Sequence, residues 1–169
     1  MVAGVGLLTG MDFPASHAVG EGKPDRAYRT FVQALYLPLG IGIPFAILIW
    51  LLSKYLHVFG FNPEVIPYGQ QYLAITSSSI LFIFGFNTCR SYLQAQGIAA
   101  PMLWILIIGN ILNLLLNIVL VFGKWGIPAM GFTGSAYATL IGRIFTFVAA
   151  FGSVIYFDRK NGQFLKTLG

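Results

Sequence analysis

Long apolar runs separated by short polar turns organise this sequence. Thr30 to Ser53, Val65 to Cys89 and Ser91 to Gly123 carry no charged residue, and Trp125 to Phe157 carries only Arg143. A helix rises about 1.5 Å per residue and needs about 20 apolar residues to cross a bilayer, so each run is long enough. The opening run, Met1 to about Val19, is shorter, holds Asp12 and His17, and spans with little margin. The pattern predicts five membrane helices near 1–20, 30–56, 64–93, 98–122 and 130–157, with a polar tail over 158–169. The breaks suit turns. Gly20 to Asp25 is polar, Pro63 and Pro67 fit the start of the third helix, and Gln96-Gly97 with Pro101 introduces the fourth. Gly123 to Pro128 separates the fourth from the fifth.

Composition agrees with the pattern. Hydrophobic residues make up 57% of the chain and charged residues 9%, against about 25% charged in an ordinary soluble domain. The fold class expected is all-α, a polytopic membrane protein. The net charge of +5 is no sign of nucleic acid, because the basic residues stand singly between apolar runs and form no basic face. They orient the helices instead. Lys23, Arg26, Arg29, Arg90, Arg159, Lys160 and Lys166 fall on one side, Lys54 and Lys124 on the other. The positive-inside rule puts the first loop, the third loop and the tail in the cytoplasm. The chain's start then lies outside, which implies a preceding helix. Cys89 is the single cysteine, so it forms no internal disulfide and reads as a small buried residue.

Polar residues within apolar helices are the candidates for chemistry. Asp12 stands about ten residues before the first turn, roughly 15 Å deep, with Ser16 one helical turn on. A carboxylate at that depth marks an ion path or is a satisfied structural acid. Arg143, also near mid-depth, either pairs with Asp12 or faces a polar cavity. Asn110, Asn113 and Asn117 follow an i, i+3, i+7 spacing and form one amide stripe. Such amides hold helices together or line a substrate path. Gly134, Ala138 and Gly142 form a small-residue stripe suited to close helix packing, with Ser135 and Thr139 beside it. Gly6 and Gly10 make an isolated GxxxG, and Trp50, Trp104 and Trp125 suit the interfacial belts. No nucleophile–base pair, metal-ligand spacing or Walker-type phosphate loop is present, so neither an enzyme nor an ATP-driven motor is expected in this chain.

Three blocks carry a family resemblance. The run Arg90 to Gly97, followed by Pro101, Asn113 and Asn117, resembles the multidrug and toxic compound extrusion (MATE) family. So does Gly126 to Ala136, followed by Ala138, Thr139 and Arg143. Gly10-Met11-Asp12 through Gly22 looks like the family's second-helix segment, with His17 where glutamine is usual and an atypical Phe13-Pro14. Members have twelve helices in two six-helix lobes, and the resemblance covers helices two to six, most of the N-terminal lobe. It implies a truncated secondary antiporter that exports organic cations or toxic compounds in exchange for protons or sodium. It needs no cofactor beyond that ion gradient and is multi-pass in the cell inner (plasma) membrane. The partners implied are lipid, a small organic cation and a second lobe or another subunit. Asp12, Asn110, Asn113, Asn117, Thr139 and Arg143 are the path residues expected. In some prokaryotic members an aspartate follows an asparagine by four residues in the fifth helix; here the pair is Asn113 and Asn117. The alternatives are a lipid-linked oligosaccharide flippase of the same superfamily, which requires basic residues in the cavity, and an inert membrane fragment.

Overall fold

Proline, glycine and hydroxyl side chains set where the helices start, bend and stop. The fold is described from a computed structural model over residues 31, 33, 35–36, 38–60 and 62–160. The predicted first helix, with Asp12, His17, Gly6 and Gly10, and residues 161–169 of the tail lie outside these residues. Five α-helices follow: α1 (Ile43–Lys54), α2 (Ile66–Ser78), α3 (Ile80–Ala95), α4 (Ala100–Phe122) and α5 (Gly131–Lys160). Pro44, Pro67 and Pro101 sit in the first turns of α1, α2 and α4, where a missing N–H removes no helical bond. One π turn, Pro38–Gly42, precedes α1. Pro44 cannot give the N–H that Gly40's carbonyl would accept, and the wider turn accommodates that loss.

α2 and α3 form one apolar rod, Ile66–Ala95, which the hydrophobic pattern predicts as an unbroken helix. Ser79 interrupts it, at φ −78 and ψ −8. Four successive hydroxyls bond back to carbonyls of the preceding turn. Ser77 Oγ donates to Ala74 O at 2.8 Å, Ser78 Oγ to the same oxygen at 3.2 Å, Ser79 Oγ to Thr76 O at 2.5 Å, and Thr76 Oγ1 to Tyr72 O. Such back-bonding competes with the helical ladder and bends it. α3 then closes in a Schellman motif. Ile98 N–H donates to Leu93 O and Gly97 N–H to Gln94 O, both at 2.9 Å, with Gly97 at φ 77, where a glycine is needed.

α5 is the axis of the bundle. The α2–α3 rod runs parallel to it, as paired residues down its length show. Thr133 bonds Gln71, the Phe132 and Tyr72 rings lie 4.7 Å apart, Arg143 bonds Ser79, Phe147 meets Phe82 at 6.0 Å, and Asp158 bonds Tyr92. α4 runs antiparallel on α5's other side through a seam of glycines. A Cβ on Gly109 would run into Thr146 Cγ2, and one on Gly134 would stand 2.6 Å from the carbonyl oxygen of Leu120. Small residues admit that approach, and dispersion between close backbones holds the pair. Gly134, Ala138 and Gly142 are all buried. The apolar core gathers Phe86, Cys89, Leu93, Met102, Ala150 and Val154 where α3, α4 and α5 meet.

The helix α5 continues through Asp158, Arg159 and Lys160, which the charge pattern assigns to the tail. Asp158 is 1% exposed, held by a hydrogen bond from α3, so it belongs to the fold. The protein is an all-α polytopic membrane protein. Among the described residues three helices are long and apolar enough to cross a membrane: Ile66–Ala95, Ala100–Phe122 and Gly131–Lys160. Leu39–Lys54 is a shorter apolar helix. Ile43, Phe45, Ile47, Leu48, Leu51 and Leu52 are exposed around α1, a surface that suits lipid.

Candidate functional site

An amide in the middle of an apolar helix must find a partner, because hydrocarbon offers none. α4 carries three, and the structure places two of them on one cleft. The cleft has a volume of about 300 Å³ and lies between α3, α4 and α5. Ile83 and Phe86 of α3 form its apolar wall. Asn110 and Asn113 face it from α4, and Thr139, Arg143 and Thr146 from α5. Asn113 stands thirteen residues into α4 and Arg143 twelve into α5, or roughly 20 Å and 18 Å along their axes. Both are near the middle of their spans.

Local packing fixes the polar groups. Gly142 packs beside Asn113, where even a Cβ would meet Asn113 Cβ only at 3.4 Å, an ordinary contact. Asn117 backs Asn113, its Nδ2 donating to Asn113 O at 2.9 Å and to Asn113 Oδ1 at 3.2 Å. With its carbonyl oxygen so engaged, Asn113 offers a ligand chiefly its Nδ2 donors. Thr139 donates its hydroxyl to Ser135 O at 2.9 Å and Thr146 donates to Arg143 O at 3.0 Å, so both hydroxyl oxygens remain able to accept. The Arg143 guanidinium donates through Nη1 to Ser79 Oγ at the break in the α2–α3 rod. Its expected partner Asp12 lies outside the described residues.

Of the six residues singled out in the sequence, Asn110, Asn113, Thr139 and Arg143 thus line one cleft. Asn117 supports it from behind. Arg143 is the one charged residue of the cleft wall among the described residues, which makes the wall rich in donors. It holds no nucleophile paired with a base, and no group of three or more histidine, cysteine or acidic side chains is placed to hold a metal among the described residues. Sequence reasoning missed Ser79, whose only signal is its place in the hydroxyl run Thr76 to Ser79. It also missed a second polar cluster, Tyr92 with Asp158 and Gln96, between the last turn of α3 and α5.

Comparison with known proteins bears on the fold and the family. The family model MatE matches residues 1–119. A probable multidrug resistance protein NorM of Synechocystis sp. is 33% identical over 140 residues, covering 83% of this chain and 30% of the relative. Another, of Geobacillus kaustophilus, is 28% identical over 155 residues, covering 91% of this chain and 34% of the relative. A solved inward-facing structure of a multidrug resistance MATE family transporter of the MOP superfamily superposes with a TM-score of 0.75 at 21% identity, over 86% of this chain and 32% of that one. The chain therefore spans about a third of the length of the proteins it matches. The match of the family model over most of its residues shows that this chain belongs to the MatE family.

Proposed function

We propose that this chain supplies one wall of the solute path of a secondary antiporter that exports organic cations or other toxic compounds in exchange for protons or sodium. The observation that carries the reading is the cleft itself. Asn110, Asn113, Thr139 and Arg143 converge on it near mid-helix in a chain of this family. Solute sites of secondary transporters lie near the bilayer midplane, between units that rock against each other. A second lobe or another subunit completes the path in this reading. The helices are multi-pass in the cell inner membrane, with residues 158–169 toward the cytoplasm as the basic residues indicate. A specific observation favours a second reading. Arg143 on the cleft wall suits an anionic group such as the phosphates of a lipid-linked sugar.

Fluorescent organic cation binding to the purified chain in detergent tests the first reading. The dye binds, and the double variant Asn110→Leu with Asn113→Leu loses affinity by about tenfold, the loss of roughly one net hydrogen bond. In liposomes under an imposed proton or sodium gradient the chain alone moves no dye, because it offers one wall of the path. Gradient-driven efflux that disappears in Asp12→Asn would make a half-size exporter acting as a dimer the better reading. Absent dye binding, with retention of a lipid-linked sugar phosphate that Arg143→Gln abolishes, would establish the second.

A further inference from the structure

The loop that joins α4 to α5 is pinned to the helix it leaves. The Gly123 and Lys124 N–H groups both donate to Val119 O, at 3.0 and 3.1 Å, and Met130 N–H donates to Leu120 O at 2.9 Å. Residues 123–130 therefore fold back on the end of α4. The fit is close, since a Cβ on Gly123 would stand 2.6 Å from the backbone nitrogen of Ala129. Gly123, Trp125 and Gly126 are left-handed, at φ 69, 61 and 83. Glycine adopts that conformation freely, but a bulky residue does so at a cost. Trp125 is the one non-glycine residue with positive φ among the described residues, and its side chain is 85% exposed. Packing within these residues does not hold it there. A pinned backbone thus pushes an indole outward, with Phe122, Ile127 and Met130 exposed near it and Lys124 next in sequence.

In water these side chains would be an uncovered apolar patch. The outer face of α4 indicates what covers them. Trp104, Ile108, Ile111, Leu115 and Phe122 are all exposed. Their spacing, i, i+4, i+7, i+11 and i+18, keeps them on one face of the helix. Trp104 and Phe122 are five full turns apart, roughly 27 Å along the axis. A bilayer's hydrocarbon core is about 30 Å thick. Aliphatic residues fill the stripe and a ring closes each end, which is the order that lipid and its two interfaces select. Other rings stand level with the loop. α1 ends and α2 begins at that end of the bundle, where Tyr55 and Tyr68 are exposed and the Lys54 ammonium lies 3.9 Å over the Trp50 ring.

We propose that residues 123–130 form an interfacial anchor that seats Trp125 at the boundary between phospholipid headgroups and acyl chains. The indole buries its ring among the upper acyl carbons and keeps its N–H for an ester or phosphate oxygen. Lys124 extends its ammonium toward the phosphates. The left-handed backbone at Trp125 aims the ring outward, and the lipid contact offsets the cost of that conformation. The anchor also sets the height of the bundle. Asn113 lies nine residues from Trp104 and nine from Phe122, on the opposite face of α4. With those two rings at the two interfaces, the cleft's amide stands at mid-membrane. This placement holds whether or not the chain moves a solute.

Depth-dependent fluorescence quenching of the chain in phosphatidylcholine vesicles tests the anchor. Trp50→Phe with Trp104→Phe leaves Trp125 as the one indole. Its emission is expected to lie to the blue of indole in water. Phospholipid brominated high on the acyl chain should quench it most, phospholipid brominated near the chain end less, and acrylamide in the water little. Trp50→Phe with Trp125→Phe leaves Trp104, which is expected to show the same order from the opposite interface. Should either double variant fail to fold, the difference between the unaltered chain and Trp125→Phe or Trp104→Phe reads the same indole. Quenching of Trp125 by acrylamide without quenching by brominated lipid would leave the loop in water and overturn the proposal. Quenching by neither would mean that protein covers the loop, a second copy or another lobe, and would overturn it too. Strongest quenching of Trp125 or Trp104 by chain-end bromines would place that ring too deep and overturn the height assigned to Asn113. None of these readouts involves transport or dye binding.

Discussion

The two seams of α5 are built from opposite materials. Against α4 it presents Gly134, Ala138 and Gly142, and α4 replies with Gly109 and with the backbone at Leu120. Against the α2–α3 rod it presents Arg143, Phe147 and Asp158, which meet Ser79, Phe82 and Tyr92. The first seam is held by backbones in van der Waals contact and has one good spacing. The second is held by long side chains and polar links that tolerate small displacements. The cleft lies between α3, α4 and α5, with the amides on the α4 wall and the guanidinium on the α5 wall. A tight seam fixes the wall, and a compliant seam can respond to what occupies it.

Substitutions along both seams test that contrast, and the largest effect is expected at Gly134. A Cβ there would stand 2.6 Å from a carbonyl oxygen that belongs to backbone and cannot rotate away. Gly134→Ala is expected to cost about 3 kcal/mol, at the upper end of ordinary overpacking, measured as unfolding in mixed detergent. A cost below ~1 kcal/mol would show that the α4 seam is as compliant as the other. Arg143→Met comes next. It removes the link to Ser79 and leaves that hydroxyl with its bond to Thr76 O, so a loss of about 1–2 kcal/mol is expected. Ser79→Ala should lose a similar amount by the same assay, and the double variant should lose less than the sum, since the residues share one bond.

Gly85→Ala is expected to be milder still. Its new Cβ would stand 2.5 Å from Phe147 Cε2, but that ring can turn, so about 1 kcal/mol is expected. A loss as large as that of Gly134→Ala would erase the distinction between the seams. Gly142→Ala should be nearly neutral for folding, because its nearest neighbour, Asn113 Cβ, would lie at 3.4 Å, an ordinary contact. It narrows the cleft beside Asn113, so dye affinity is the more sensitive measurement there. Unchanged affinity would move the bound solute away from Asn113.

Much of this was visible in the sequence, and the reasons differ from place to place. The amide stripe of α4 stood out because lipid offers amides nothing, so their spacing on an apolar helix marks one face. Gly134, Ala138 and Gly142 stood out for a similar reason, as small residues at a regular interval. Asp158 was illegible. It opens a run of charges, Asp158-Arg159-Lys160, that looks like a solvated tail. What buries it is Tyr92, sixty-six positions earlier, and nothing local announces that contact. The break at Ser79 was equally hidden. Its hydroxyls carry no charge and leave the apolar run intact, yet they interrupt the rod and present the oxygen that Arg143 bonds.

The distribution of amides among the helices also bears on how the chain enters the membrane. α4 carries all three stripe asparagines on a span otherwise almost wholly apolar, and that surplus of leucine, isoleucine and valine outweighs their insertion penalty at the translocon. α5 must bring in a guanidinium near its centre, and the α2–α3 rod brings a run of hydroxyls. Neither is as well suited to partition alone. Because Gly109, Asn113 and Leu120 of α4 already face the positions that Thr146, Gly142 and Gly134 of α5 will occupy, α4 is placed to serve as the template on which its successor is received during synthesis.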